Sequence, residues 1–342
     1  MLSTTSGYVP ENTTDPWFEP CSRDGDNSLG AHLSFLYYFM FVFSVVTNVL
    51  VLVIIHWFDK MNTVVNIMLM NLVVSSLIFM SSLPFLGIYM QVSNWIFGSV
   101  MCKVIFSVYY LGFYSSVFFL TLLTFDRYLA IVYLMPAIHI RSRHNAIIAC
   151  TVVWVISGLA CIRPMLLHNT HMFLGTEYCE MYFRDLPNID VKMLKKSGFY
   201  IQLFVFLILP LAVNIFCYIR IAITAISTNV ASKNKAFRVI FFIVVLFFIS
   251  WIPFNIVELL NEEPKDCKEE QRLGYALHVT RNMAYFYFCV SPIFYTFVGK
   301  RFQDYFKQLL LKCFPSLRKH ISINAVNKTT MFTAGTELSV RY

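Results

Sequence analysis

The residues best placed for chemistry are an acid and a base side by side, Asp126 and Arg127, directly after a long apolar run. A charge pair at a membrane boundary is costly and usually has a function. The plain alternative is a charged flank that only stops membrane insertion. The sequence contains no HExxH metal motif and no lysine in its last apolar segment that could carry retinal. We therefore expect no enzyme activity, no cofactor and no metal.

Composition defines the class of protein that positions this pair. Apolar residues make up 58% of the chain and charged residues 13%, with a mean hydropathy of +0.63. A soluble domain could not bury so much apolar surface. A helix that spans a bilayer needs about 20 apolar residues, and seven such stretches predict an all-α membrane protein, a seven-transmembrane helix bundle. They are residues 32–57, 63–91, 99–133, 144–168, 194–227, 234–261 and 273–299.

The charges between these stretches orient the bundle. With the N-terminus outside the cell, the inner segments carry 16 Lys/Arg and 4 Asp/Glu, a net charge of +12; the outer segments carry 11 and 15, a net charge of −4. An excess of basic residues on the cytoplasmic side is the usual arrangement. The acidic outer face suits a basic extracellular partner, because complementary fields speed encounter. A merely solvated acidic surface is the alternative.

The order of several short motifs carries a resemblance to a known family. Residues 123–133, LTFDRYLAIVY, resemble the DRYLAIV motif of chemokine receptors, within the class A (rhodopsin-like) G-protein-coupled receptors. Residues 82–84 resemble the proline kink of their second helix, and residues 95–98 their first outer loop. Residues 250–253 and 291–295 resemble the toggle-tryptophan and NPxxY motifs. The resemblance covers about residues 20–315 and, within the family, is greatest to XC chemokine receptors.

The resemblance implies two groups of functional residues. For G-protein coupling and activation it points to Asp126, Arg127, Tyr128, Tyr218, Trp251, Pro253, Pro292 and Tyr295. For ligand binding it points to Tyr37, Leu86, Tyr109, Glu177, Glu180, Glu258 and Arg281. Arg281 stands where most relatives have glutamate, so it should reverse the charge presented to the N-terminus of a ligand. Leu86 replaces a tryptophan that is common in the family.

Four of the nine cysteines lie in predicted outer segments, where oxidation is permitted, and four cysteines allow three pairings. The resemblance implies the bridges Cys102–Cys179 and Cys21–Cys267. Asn12 begins a glycosylation sequon on the outer side. Cys313 is a palmitoylation candidate at the end of a predicted amphipathic helix that lies on the membrane surface.

The predicted organisation has four parts. Residues 1–31 form an extracellular N-terminal tail, 32–299 the seven-transmembrane receptor domain, 300–313 the amphipathic helix, and 314–342 a disordered cytoplasmic tail. Serines and threonines of the last part make phosphorylation and arrestin binding an expected property. The expected location is the plasma membrane, within the lipid bilayer.

The chain departs from its family at a mid-bundle sodium site. Most class A receptors use an aspartate, a serine and an asparagine there, and this chain has Ser76, Ser116 and Ser291. A cation in a low-dielectric interior needs a negative charge, which hydroxyl groups do not supply. We expect the site to be empty. Either the receptor loses one restraint on its resting state, or the serines repack neutrally.

These observations predict a G-protein-coupled receptor that binds a basic chemokine, of the XC or lymphotactin-like type, and activates a heterotrimeric G protein, in the inhibitory class, during chemotaxis and immune signalling. Nucleic acid is not an expected partner. The alternative is an atypical receptor that scavenges chemokine without signalling; such proteins tend to lose the motif at residues 126–132, which is intact here. A seven-helix transporter, pump or membrane enzyme is a third possibility without support from the motifs.

Overall fold

The computed structural model describes residues 24–59, 63–133, 141–173, 175–181, 191–228, 235–261, 266–298, 303, 306–309 and 311. Within these ranges the chain forms long helices and one short hairpin. The helices are α1 (Asp24–Ile54), α2 (Val64–Ser81), α3 (Leu83–Val92), α4 (Gly98–Val132), α5 (Arg143–Leu167), α6 (Val191–Leu203), α7 (Leu209–Thr228), α8 (Lys235–Leu260) and α9 (Cys267–Val298). The strands are β1 (His168–Phe173) and β2 (Thr176–Met181). An all-α bundle is therefore confirmed.

Six segments of the described chain are long and apolar enough to cross a membrane. They are Ser28–Trp57, Val64–Val92, Gly98–Val132, Arg143–Leu167, Lys196–Thr224 and Ile240–Leu260. Residues 273–298 of the seventh predicted stretch lie within α9, which packs against α1 and α8 but is less apolar. Its first turn carries Glu269 and Glu270, and Arg281 lies near its middle. These polar side chains lower the mean hydropathy of α9.

Helix α4 is the central helix of the bundle. It packs against α2, α5 and α7, and 67% of its apolar window is buried inside the protein. The matching value for α5 is 22%, so α5 presents most of its surface outward. A helix that is apolar on all sides and buried needs protein neighbours on all sides. Side chains of α4 are therefore positioned by packing rather than by lipid.

The second span is broken at Ser82, between α2 and α3. The Ser82 hydroxyl donates a hydrogen bond to the Phe79 carbonyl at 2.7 Å, and Pro84 occupies the first turn of α3. Proline lacks an N–H group and is tolerated only where a helix begins or bends. The predicted kink at Pro84 is confirmed.

Helices α6 and α7 are continuous through a π-helical turn, Phe204–Ile208. Pro210 follows two residues after its end. In a regular helix the ring of Pro210 would clash with the carbonyl of Phe206, four residues earlier. The wider turn accommodates this proline, and it brings the Phe206 ring onto that of Tyr114 at 3.7 Å.

The hairpin covers one end of the bundle and was not predicted from the sequence. Its strands pair in antiparallel register, and Gly175 at the tip has a φ of +80°, a conformation that favours glycine. A disulfide joins Cys179 of β2 to Cys102 in the first turn of α4, as predicted. We call this end of the bundle the hairpin end. The opposite end, where α4 finishes, is the Arg127 end.

The helix bounds differ slightly from the predicted stretches. Helix α1 begins at Asp24, eight residues before the predicted start at 32, and α9 begins at Cys267 rather than at 273. Both additions are polar turns, which hydropathy does not detect. Of the predicted amphipathic helix, residues 303, 306–309 and 311 are helical and the remainder lies outside the described residues.

Candidate functional site

Four of the predicted ligand residues meet inside the hairpin end. Tyr37 of α1, Tyr109 of α4, Glu258 of α8 and Arg281 of α9 are each no more than 4% exposed. Arg281 interacts electrostatically with Tyr37, Tyr109 and Glu258. We call these four residues, together with Tyr285, the polar chamber. It brings one cation and one anion together from separate helices, with both side chains buried.

Tyr285 also belongs to the polar chamber, although it was not among the predicted ligand residues. Its ring lies 5.6 Å from that of Tyr37 and 5.9 Å from that of Tyr109, and it interacts with Arg281 one helical turn earlier on α9. Residues four apart lie on the same face of a helix. That spacing from Arg281 is the signal by which Tyr285 could have been found.

Tyr110 adds an unsatisfied hydroxyl beside the polar chamber. It is 1% exposed, its ring contacts that of Tyr109 at 5.2 Å, and its hydroxyl has no hydrogen-bond partner among the described residues. Glu258 is among its electrostatic neighbours. A buried hydroxyl without a partner is costly. This position therefore has spare hydrogen-bonding capacity for a polar ligand group.

The other predicted ligand residues lie in α3 and in the hairpin. Leu86 is buried in α3 and belongs to the general apolar core. Glu177 and Glu180 lie on β2, where the Glu177 carbonyl accepts a hydrogen bond from the Trp95 N–H at 2.8 Å. The Glu180 carboxylate lies 3.1 Å from His171 Nε2. These two acids belong to the hairpin, above the polar chamber.

His168 fixes the start of β1 on the bundle. Its ring stacks on Phe106 with a centroid distance of 4.2 Å, and its Nδ1–H donates to the Pro164 carbonyl at 2.7 Å. Burial disfavours the charged imidazole and lowers the pKa of His168 to about 3. The ring is therefore neutral at physiological pH and acts as a packing element.

Arg163 of α5 lies against the backbone of Gly198 in α6. A Cβ atom added at Gly198 would overlap the guanidinium group. Arg163 also interacts electrostatically with Tyr110 and Tyr114 of α4. The absence of a side chain at Gly198 lets the two helices hold a cation between them, close to the polar chamber.

An aromatic cluster connects the polar chamber to Trp251 of α8. Phe79 packs against Tyr109 at 4.9 Å, Phe288 at 4.2 Å and Trp251 at 6.2 Å, measured between ring centroids. Opposite Phe79 is Gly112, where an added Cβ would lie 2.6 Å from the Cα of Phe79. Helices α2 and α4 therefore approach so closely that only glycine fits at 112.

At the Arg127 end, Asp126 is 3% exposed and pairs with two arginines. One is its neighbour Arg127, whose Nε lies 3.1 Å from Asp126 Oδ2. The other is Arg141, in the segment before α5, whose Nε lies 2.7 Å from Oδ1. From the sequence, Arg127 was the expected partner of Asp126. The second partner, Arg141, was not predicted, because a contact between residues on either side of a loop has no fixed spacing in sequence.

Other predicted coupling residues have distinct positions. The Tyr218 hydroxyl lies 3.4 Å from the Thr124 hydroxyl, one turn before Arg127 on α4. Tyr128 packs in a small buried cluster with Cys217 of α7. Pro253 and Pro292 lie inside α8 and α9. Tyr295 is in α9, and its side chain lies outside the described part.

The three serines of the degenerate sodium site are buried, each no more than 3% exposed. The Ser116 hydroxyl has no hydrogen-bond partner among the described residues, and the same is true of the Tyr287 hydroxyl one turn before Ser291. Nearby, the Asn48 amide donates to the Ser44 hydroxyl at 2.8 Å. The site thus lacks the negative charge that most class A receptors have, as the sequence indicates. The Ser116 hydroxyl forms no hydrogen bond with Ser76 or Ser291.

Several predicted sites fall partly or wholly outside the described residues. Cys267 is disulfide-bonded, and its expected partner Cys21 lies outside them. The glycosylation residue Asn12 and the palmitoylation residue Cys313 also lie outside. These assignments remain predictions.

Comparison with known sequences defines the class first. Over residues 47–295 the chain matches the 7 transmembrane receptor (rhodopsin family). The match runs from α1 to α9 and covers more than half of the chain. The chain therefore belongs to the rhodopsin family of seven-transmembrane receptors.

Similarity to individual proteins identifies the family within this class. The chain is 34% identical to the C-C chemokine receptor type 3 of Cavia porcellus over 302 residues, covering 85% of this chain and 82% of that protein. It is 32% identical to the C-C chemokine receptor type 1 of Homo sapiens over 94% of each protein. The chain is 33% identical to the C-C chemokine receptor type 4 of Homo sapiens, over 86% of this chain and 82% of that protein. The chain is a member of the chemokine receptor family of G-protein-coupled receptors.

Membership has direct consequences for the fold and the site. The helices form a multi-pass membrane protein, and the protein is a receptor rather than an enzyme. The polar chamber lies at one end of this receptor. Asp126 with its partners Arg127 and Arg141, which we call the Asp126 cluster, lies at the other end, and the aromatic cluster around Trp251 lies between them.

Proposed function

We propose that the protein is a signalling chemokine receptor of the plasma membrane, with the N-terminus and the hairpin end outside the cell. The observation that carries this proposal is the intact Asp126 and Arg127 pair at the end opposite the polar chamber. A ligand bound at one end must change the other, and the two ends share α4 and the aromatic cluster. The basic excess of the segments at the Arg127 end supports this orientation.

The expected ligand is a basic chemokine of the XC or lymphotactin-like type. Acidic residues of the tail and the hairpin, Glu177 and Glu180 among them, would capture its folded body. Its flexible N-terminus would then enter the polar chamber, where Arg281 attracts an acidic group and Glu258 a basic one. Because both charges are buried, their interactions with a ligand are strong and specific.

The expected intracellular partner is a heterotrimeric G protein of the inhibitory class. Ligand binding would move the inner half of α8 about Pro253, free Arg127 from Asp126 and open the Arg127 end. Arrestin binding to the phosphorylated tail, glycosylation at Asn12 and palmitoylation at Cys313 complete the proposal.

The decisive experiment measures cyclic AMP in cells that express the chain, with a panel of purified chemokines that includes lymphotactin. A fall in cyclic AMP that pertussis toxin abolishes supports the proposal. Chemokine uptake without any change in cyclic AMP would instead identify a scavenging receptor. A response that the toxin leaves intact would exclude the inhibitory G-protein class.

A further inference from the structure

The strongest unexplained feature is the second arginine on Asp126. Arg141 forms a bidentate contact with the Asp126 carboxylate: Arg141 Nε lies 2.7 Å from Asp126 Oδ1, and Arg141 Nη2 lies 3.2 Å from Asp126 Oδ2. Arg127 contacts only Oδ2, through both Nε and Nη2. Oδ1 is therefore held by Arg141, while Oδ2 is shared between the two arginines.

The support for Arg141 is independent of α4. It directly precedes Ser142, whose hydroxyl accepts a hydrogen bond from the Asn145 N–H at 3.2 Å and caps α5. A movement of Arg127 does not require Arg141 to move with it. The cap thus fixes one cation beside a carboxylate that is 3% exposed, and the Arg141 side chain itself is 29% exposed.

Burial makes the number of partners important. A buried carboxylate that loses its only cation is strongly disfavoured, because its hydration is not restored. If Arg127 were the only partner, its departure would leave Asp126 in that state. With Arg141 in place, both oxygens keep a donor after Arg127 has left.

We propose that Arg141 is a positioning residue that holds Asp126 paired when Arg127 leaves, and that it thereby favours the release of Arg127. The consequence for signalling rests on the proposed function, in which this release accompanies G-protein activation. The consequence for stability does not depend on it. Arg141 thus assists activation rather than restraining it, although it contacts the same carboxylate as Arg127.

The test is a thermal double-mutant cycle on the purified full-length receptor in lipid nanodiscs. Arg127→Ala imitates the departure of Arg127, and Arg141→Ala removes the second partner. A thiol-reactive dye reports unfolding, since Cys150, Cys161, Cys217 and Cys289 are buried free cysteines. Each single variant should lower Tm by roughly 1 to 3 °C, and the double variant by at least about 5 °C more than their sum.

Three further variants separate the proposal from a general loss of packing. Adding Asp126→Asn to the double variant should restore much of Tm, because no buried charge remains. Arg141→Lys in the Arg127→Ala background should stay close to Arg127→Ala alone. Arg143→Ala, an exposed arginine two residues away, should be additive with Arg127→Ala. Additive effects of Arg127→Ala and Arg141→Ala, or no rescue by Asp126→Asn, would overturn the proposal.

The signalling arm uses lymphotactin and purified inhibitory G protein, with nucleotide exchange as the readout. Arg141→Ala should lower exchange roughly threefold to tenfold, and Arg141→Lys should recover most of it. Higher exchange in Arg141→Ala would make Arg141 a restraint and overturn the proposal. If the unmodified receptor drives no exchange, the proposed function fails, while the thermal cycle still decides whether Arg141 keeps Asp126 paired.

Discussion

The polar chamber and the Asp126 cluster both bury charge, but they do so in opposite ways. In the polar chamber, Arg281 and Glu258 stand among tyrosines from three helices, and the neighbouring Tyr110 hydroxyl has no partner in the described chain. In the Asp126 cluster, one carboxylate has two arginines and both of its oxygens are occupied. The first arrangement has spare polar capacity, and the second has an excess of partners.

This difference suits the two ends to different roles. Spare capacity suits a site that gains free energy when a polar ligand enters. An excess of partners suits a site at which one partner is released at low cost. The same buried charge can therefore serve recognition at one end of a receptor and switching at the other.

The largest expected effect breaks the link between the two ends. Arg127→Ala should reduce the ligand-driven cyclic AMP response to background, because the released arginine is the group proposed to engage the G protein. Chemokine binding should remain largely intact, because Arg127 lies at the end opposite the polar chamber and does not contact the ligand. Radioligand binding and cyclic AMP are measured on the same cells, with Arg143→Ala as the charge control. Loss of binding together with signalling would contradict the separation of the ends.

The next effect concerns the polar chamber alone. Arg281→Glu should weaken signalling potency roughly 30-fold or more, corresponding to about 2 kcal/mol, because it places a second acid beside Glu258. Surface capture of chemokine should change less. Arg281→Gln separates loss of the cation from gain of an anion. If Arg281→Glu signals at unchanged ligand concentration, the polar chamber is not the ligand site.

A third prediction concerns the packing between the ends. Gly112→Ala should destabilise the receptor by about 1 to 3 kcal/mol, because the new methyl group overlaps the backbone of Phe79. Gly158→Ala is the matched control, since nothing lies within 4 Å of its Cβ position in α5. Thermal unfolding of both variants, measured side by side, gives the comparison. Equal Tm values would show that α2 and α4 can separate freely at this contact.

A fourth prediction follows from the neutral His168. Its folded-state pKa is lowered to about 3, below the ordinary value of 6.5, so protons bind the unfolded chain preferentially as the pH falls. Its contribution to stability is present above pH 6.5 and should decrease by about 2 kcal/mol between pH 6.5 and pH 5. The His168→Asn variant should show a correspondingly shallower decline in Tm over that range. Parallel declines would mean that His168 accepts a proton in the folded receptor.

The last prediction is that replacing sodium by another cation has no effect on agonist affinity. Agonist affinity should be the same in sodium, potassium or choline at equal ionic strength, because Ser76 and Ser291 supply no charge to the sodium site. A sodium-specific fall in affinity would mean that another group holds the ion. The paired substitutions Ser76→Asp and Ser291→Asn should create sodium sensitivity. Raised ligand-free activity of the unmodified receptor would favour a lost restraint over neutral repacking.

The sequence predicted what depends on local pattern. Apolar stretches located the helices, and Pro84 located the break between α2 and α3. These features are encoded within a few residues of one another.

What escaped prediction depends on distant parts of the chain. The hairpin rests on pairing between polar segments without strong alternation, and Arg141 reaches Asp126 across fifteen positions. Arg163 lies against Gly198 because two helices approach there, and neither residue signals the other in sequence. Tertiary packing decides such contacts, so only coordinates reveal them.

The π-helical turn Phe204–Ile208 also determines the direction in which the side chains before it face, relative to those after it. One extra residue in a turn rotates everything before it by about 100° relative to everything after it. Deleting Val205 would therefore turn Gly198 away from Arg163 and bring a different face of α6 towards α5. The length of this segment, counted in single residues, is thus as strictly determined as the identity of any side chain in it, and a deletion here should act on the whole of α6.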